Sequence, residues 1–176
     1  TRERFGYGGD IVALVDSHLY SHDIHNLLKK VFMDFAYDQT PEGGIPQTAP
    51  YVGIMTNGTS NGAGSLGWQL VFPVLAAKIE QYYQDKAFVQ EHLPELVKHL
   101  KYLLAFDFDY IRYCCLGDWG SVDAGIQNNR IVSPDQEFCS ANMYLILLEE
   151  YKALFAAHDG SEMLMENLEL RIEEAR

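Results

Sequence analysis

The chain has 176 residues with 25 Asp and Glu against 13 Lys and Arg, a net charge of −12. This balance excludes nucleic acid and anionic membrane surfaces as partners, because both are gripped by clustered cations. Apolar residues make up 48%, enough for one domain with a sizeable core. No apolar run approaches the roughly 18 residues of a membrane span, and none has the basic-then-apolar order of a secretory leader.

In chain order, Thr1–Asp10 (TRERFGYGGD) comes first. Arg2-Glu3-Arg4 sets one carboxylate between two guanidiniums, which favours its charged form. A general acid at neutral pH needs the opposite. Spacing alone therefore reads as a surface cluster running through Gly6, Tyr7, Gly8 and Gly9 into a glycine-capped helix. Asp10 is placed as the N-cap of the apolar run 10–17, which periodicity leaves open between helix and strand. Ile24, Leu27, Leu28, Val31, Phe32 and Phe35 recur at helical spacing and predict an amphipathic helix over 21–37.

Residues 38–65 are dense in turn signals (Pro41, Gly43, Gly44, Pro46, Pro50, Asn57-Gly58, Asn61-Gly62), a connection long enough to be functional. Ile45, Tyr51, Val52, Ile54 and Met55 give it apolar anchors. Residues 66–84 predict a buried helix kinked at Pro73. A further helical stretch starts at Asp85, restarts at Pro94, and presents Leu96, Val97, Leu100, Leu103 and Leu104 on one face. Residues 114–133 read as a second long loop. Ser133-Pro134-Asp135-Gln136 predicts a capping box opening a helix to about Ala157, which stops at Gly160. A last helix from Ser161 carries Leu164, Leu168 and Ile172. The predicted fold is all-α: about six helices in antiparallel pairs, joined alternately by short turns and long loops.

His18, His22 and His25 stand at i, i+4 and i+7, a spacing that zinc sites use, but a helix boundary at Tyr20-Ser21 would split them. They are read as ordinary histidines. Cys114, Cys115 and Cys139 form an odd set without metal-type spacing and read as free thiols. That leans towards a cytoplasmic location, with periplasmic or secreted locations left open. The glycines of 58–67 lack the Gly-Lys-Ser/Thr ending of a phosphate loop. Asp107, Asp109, Asp118 and Asp123 read as caps or solvated loop residues. Trp68 and Trp119 follow glycines at loop ends, where aromatic rings either anchor the core or stack on the C–H faces of sugars.

RERFGYGGD, with IPQTAPYVG, Gly-Ser-x-Gly-Trp at 64–68 and Gly-Asp-Trp at 117–119, resembles the bacterial α-L-rhamnosidases, inverting glycoside hydrolases with an (α/α)6-barrel catalytic domain. In that family the pattern opens with an acidic residue and Cys-Pro, so Thr1 falls immediately after them. The resemblance implies Glu3 as general acid, Arg2, Tyr7, Asp10, Trp68 and Trp119 as substrate-binding residues, and no cofactor or metal. It implies a rhamnose-containing glycoside or polysaccharide as partner. One departure is clear: the family continues Gly-Trp with Gly-Asp, where this chain has Gln69-Leu70.

The resemblance further implies that residues 1–176 form the N-terminal portion of one (α/α)6-barrel domain of a larger multidomain enzyme. The remainder of the barrel, with the general base, is expected beyond Arg176, and the 176 residues alone are expected to be inactive. Two alternatives are carried beside this reading: another all-α toroid enzyme acting on carbohydrates, and a non-catalytic helical sugar-binding or interaction module.

Overall fold

The computed structural model describes residues 4–118, 120–158 and 162–176; Arg2, Glu3 and Trp119 lie outside the described residues, as do Gly160 and Ser161. The described chain is helical, as predicted. Six longer helices are α1 (Gly8–Ser21), α2 (His25–Tyr37), α4 (Val71–Tyr83), α6 (Leu93–Leu104), α8 (Gln136–Ala156) and α9 (Glu162–Ala175). Three short ones, α3 (Leu66–Gln69), α5 (Lys86–Glu91) and α7 (Phe108–Ile111), link them. Among the described residues, no helix is long and apolar enough to cross a membrane.

Several boundaries differ from the sequence expectations, each for a local reason. Tyr7, not Asp10, caps α1, and Asp10 sits within its first turn, where free backbone N–H groups favour a carboxylate. The α1 helix ends at Ser21 and His25 opens α2, so of the three histidines only His18 lies within α1, with His22 at its C-cap. His25 instead pairs with Asp85 at 3.0 Å.

The single helix expected over 66–84 is two. Pro73 has no N–H for the carbonyl of Gln69, and the helix is interrupted at Leu70, leaving Pro73 in the first turn of α4. The capping box at Ser133 does not form. Asp135 takes the N-cap position of α8, while Ser133 Oγ donates to Asp135 Oδ1 at 2.8 Å. Inside the second long loop, β1 (Gly125–Gln127) and β2 (Arg130–Val132) make an antiparallel hairpin. Asn128 and Asn129 turn it with φ of 49° and 61°, the left-handed pair that a two-residue hairpin demands.

The core is built around α4, which packs on α1, α2, α5 and α8. Phe32 stacks on Phe72 with ring centroids 4.5 Å apart, and Phe88 meets Phe32 edge-on at 5.4 Å. The predicted apolar face of α6 is buried through Leu96, Leu100 and Leu103, and that of α9 through Leu164, Leu168 and Ile172. The expected free thiols are present at Cys114, Cys115 and Cys139. Burial pushes Cys114 and Cys139 up to about 11, which keeps both protonated and inert at neutral pH.

One polar network runs through this core. The fully buried Gln69 amide fills all four of its hydrogen-bonding positions. Its Nε2 donates to Thr59 Oγ1 and to the Gly64 carbonyl, both at 2.7 Å. Its Oε1 accepts from the Ile45 N–H at 3.2 Å and from His99 Nε2 at 3.0 Å. Because Oε1 can only accept, the His99 proton resides on Nε2 and Nδ1 accepts from Tyr151 O–H at 2.6 Å. Tyr102 donates to Ser60 Oγ at 2.7 Å, so Thr59 Oγ1 donates to Tyr102 at 2.7 Å. Residues on α3, α6 and α8 are thus tied to the 45–64 connection by one chain of polar contacts.

Burial pushes His99 down to about 3, while an unfolded histidine titrates near 6.5. The unfolded state therefore binds a proton that the native state refuses. The stability tied to this group is complete above about pH 6.5 and is lost as pH falls towards 3, by up to about 1.4 kcal/mol per pH unit. Urea unfolding between pH 7 and 4.5 is expected to show a correspondingly flatter pH dependence in His99→Gln than in the wild type. Equal slopes in the two proteins would refute the neutral, buried assignment.

Candidate active site

The glycines of the opening segment are there to let backbone approach backbone. Tyr7 pairs with Thr48 in an isolated antiparallel bridge. Gly8 N–H donates to the Gln47 carbonyl and Ala49 N–H to the Gly6 carbonyl, both at 3.0 Å. A Cβ at Gly8 would stand 2.3 Å from the Trp68 carbonyl oxygen, and one at Gly9 would press the Trp68 indole at 3.0 Å. No side chain fits at Gly8, and one at Gly9 would need the indole to give way. Residues 6–9 are therefore locked between the 47–49 segment and α3.

This packing brings Trp68 against the turn that carries Tyr7 and Asp10. Tyr7 is half-buried and Asp10 exposed. Both line an apolar cleft of about 240 Å³ between α1 and α2, with Phe5, Leu14, Leu27 and Val31. Trp68 is partly exposed, but its Nε1 is buried without a hydrogen-bond partner among the described residues. Gln47 Oε1 and Ser65 Oγ are likewise buried and without a partner among the described residues.

The Gly117-Asp118 pair that leads to Trp119 is fixed from below. Leu66 N–H donates to the Cys114 carbonyl at 2.8 Å, which joins this segment to α3. Asn57, buried and left-handed with φ 52°, clamps it to the hairpin. Its Nδ2 donates to the carbonyls of Cys115 (2.9 Å) and Ile131 (2.7 Å), and its Oδ1 accepts from Ile131 N–H at 3.0 Å. Gln136 Nε2 adds a second donor to the Cys115 carbonyl at 2.8 Å.

Gly117 adopts φ +63°, and a Cβ there would collide with Ser133 Oγ at 2.0 Å. The Ser133 hydroxyl, together with the Asp118 N–H, holds the Asp135 carboxyl below its ordinary value. Asp118 itself is thus a backbone donor to Asp135, at 3.1 Å, and Asp107 caps α7 through Tyr110 N–H.

Among the sequence-predicted residues, Tyr7, Asp10 and Trp68 are gathered at the α1 N-terminal turn, while Arg2, Glu3 and Trp119 lie outside the described residues. Sequence reasoning missed the supporting set: Gln69, His99, Thr59 and Asn57. For Gln69 the signal was present as the departure from Gly-Asp, a polar side chain inside an otherwise apolar stretch. Among the described residues, no group of three or more His, Cys, Asp or Glu is placed to hold a metal ion.

Two known proteins are similar to this chain. An α-L-rhamnosidase of Streptomyces avermitilis is 28% identical over 121 residues, 68% of this chain but 11% of the relative's own length. The solved structure of α-L-rhamnosidase from Dictyoglumus thermophilum superposes with a TM-score of 0.78 at 20% identity, covering 98% of this chain and 18% of that one. The likeness extends the fold across nearly the whole chain, while the chain spans only a small share of either relative. Residues 1–170 match the bacterial alpha-L-rhamnosidase 6 hairpin glycosidase domain, and the chain belongs to that family of glycoside hydrolases.

Proposed function

We propose that the protein removes terminal non-reducing α-L-rhamnose from glycosides or polysaccharides with inversion at the anomeric carbon, and that this chain supplies the general acid. The observation that carries the reading is the glycine turn at 6–9, held so that Tyr7 and Asp10 share a cleft wall and Trp68 backs the same turn. Arg2 and Trp119 join these as rhamnose-binding residues.

Inversion needs a protonated carboxyl on the glycosidic oxygen and a second carboxylate activating water on the opposite face, about 6.5–9.5 Å away. Glu3 takes the first role. Its flanking arginines oppose protonation, and a negative neighbour favours it. Asp10, returning across the glycine turn, accepts hydrogen bonds from sugar hydroxyls and supplies that negative neighbour. Tyr7 and Trp68 offer ring faces to the sugar's C–H surface. In this reading the water-activating carboxylate belongs to the part of the barrel beyond Arg176, and residues 1–176 by themselves do not turn over substrate.

The test uses the protein at its complete length with an aryl α-L-rhamnoside. Glu3→Gln is expected to lower kcat by about 10²–10⁴ while rhamnose still binds, and NMR of the first product should show the anomer opposite to that of the substrate. Undiminished kcat in Glu3→Gln would move the acid elsewhere, and retained configuration would reject the inverting route.

Asp10→Asn removes charge-assisted hydrogen bonds, each worth roughly 1.5–3 kcal/mol. It is expected to lower kcat/KM about tenfold to a hundredfold, while the lost helix-terminus charge, worth about 0.3–1 kcal/mol, lowers the melting temperature only slightly. A melting shift with kcat/KM intact would make Asp10 a helix-terminus residue only.

A further inference from the structure

A second cleft, of about 600 Å³, opens between the 53–61 segment and the turn of the β1–β2 hairpin. Its volume falls within the roughly 300–1,000 Å³ of small-molecule sites. Its lining is polar and selective in charge. Ser60, Asn61, Tyr110, Asn128, Asn129 and Arg130 all face it, and among the described residues no Asp or Glu does, although the chain as a whole carries 25 acidic residues. Arg112, Arg171 and Arg176 each reach a carboxylate; Arg130 reaches none among the described residues.

The groups here are held in place but not used up. Asn57 spends its amide on clamping the hairpin to the cleft wall, and Tyr110 donates to the Thr59 carbonyl at 2.7 Å. Ser60 Oγ accepts from Tyr102 at 2.7 Å, which leaves its own proton to give. The side chains of Asn61, Asn128, Asn129 and Arg130 make no hydrogen bond among the described residues. The left-handed turn holds Asn128 and Asn129 side by side immediately before Arg130. Amides suit sugar hydroxyls because they both donate and accept, and an unpaired guanidinium suits a carboxylate through two parallel N–H···O bonds.

The geometry points to a subsite for a carboxylate-bearing sugar, the unit that neighbours the rhamnose in the substrate. This rests on the rhamnoside-hydrolase reading above and adds the class of the adjoining unit. The Asn57 clamp that shapes the cleft also holds the Cys115 carbonyl, so one side chain ties the cleft wall to the segment that leads to Gly117 and Asp118.

The experiment is done on the protein at its complete length with four probes: methyl glucuronide for binding, an α-L-rhamnosyl glucuronide and its methyl ester for turnover, and an aryl α-L-rhamnoside as the neutral control. Arg130 is exposed and makes no hydrogen bond or ion pair among the described residues, so Arg130→Ala should leave the fold and the control rate unchanged. The expected results are calorimetric binding of methyl glucuronide weakened about tenfold to a hundredfold in Arg130→Ala, and a wild-type preference for the acid over its ester that the variant loses. Arg130→Lys should recover part of both, because it keeps the charge without the bidentate fork.

Binding that is absent in the wild type, or unchanged in Arg130→Ala, overturns the subsite whatever the rhamnoside assay shows. Arg130-dependent binding in a protein that leaves the aryl rhamnoside intact keeps the subsite and rejects the hydrolase reading instead.

Discussion

A buried primary amide must fill four hydrogen-bonding positions or leave polar atoms stranded in a low-dielectric interior, and the loop end of this chain depends on Gln69 filling all of them. Its donors hold Thr59 and the Gly64 carbonyl, its acceptor holds Ile45 and His99, and through His99 it reaches Tyr151 on α8. The adjoining residue, Trp68, is the one against which the glycines of the opening segment close. A four-residue helix such as α3 has no stability of its own. It stays folded because its last side chain is bolted to the connection on one side and to two long helices on the other.

The helices are legible in the sequence because burial writes a period into them. The face of α6 at Leu96, Leu100 and Leu103 and that of α9 at Leu164, Leu168 and Ile172 could be read directly, and both are buried. Boundaries were harder, since they turn on single groups such as the N–H that Pro73 lacks or the hydroxyl that Ser133 gives to Asp135 instead of to the helix. The hairpin was missed although its turn, Asn128-Asn129 between two short β-rich triplets, carried a signal. At three residues a strand is too short for alternation to show.

The candidate site was legible in a different way. From charge and spacing alone, Arg2-Glu3-Arg4 reads as a solvated cluster; only the resemblance gives Glu3 a chemical role. Composition shows that the opening segment is glycine-rich, but not that Gly8 and Gly9 are needed because Trp68, far along the chain, presses on them. Thr59 and His99 were invisible for the same reason, and Gln69 showed only as a polar residue in an apolar stretch. The network spans separations of up to 52 residues, and no local pattern announces a contact that only the folded chain creates.

The sharing of one amide between core and loops also bears on how such a sequence can drift. Residues bound into a single polar network do not contribute additively, and removing one partner leaves the others unsatisfied. A lineage cannot exchange Gln69 by itself and then wait for His99 or Thr59 to follow, because the intermediate carries a stranded polar group. Change at this node has to come as compensated sets, whereas surface positions such as Arg130 can vary one at a time. The loss of Gln69 would strand several partners at once, whereas the side chain of Arg130 makes no hydrogen bond among the described residues.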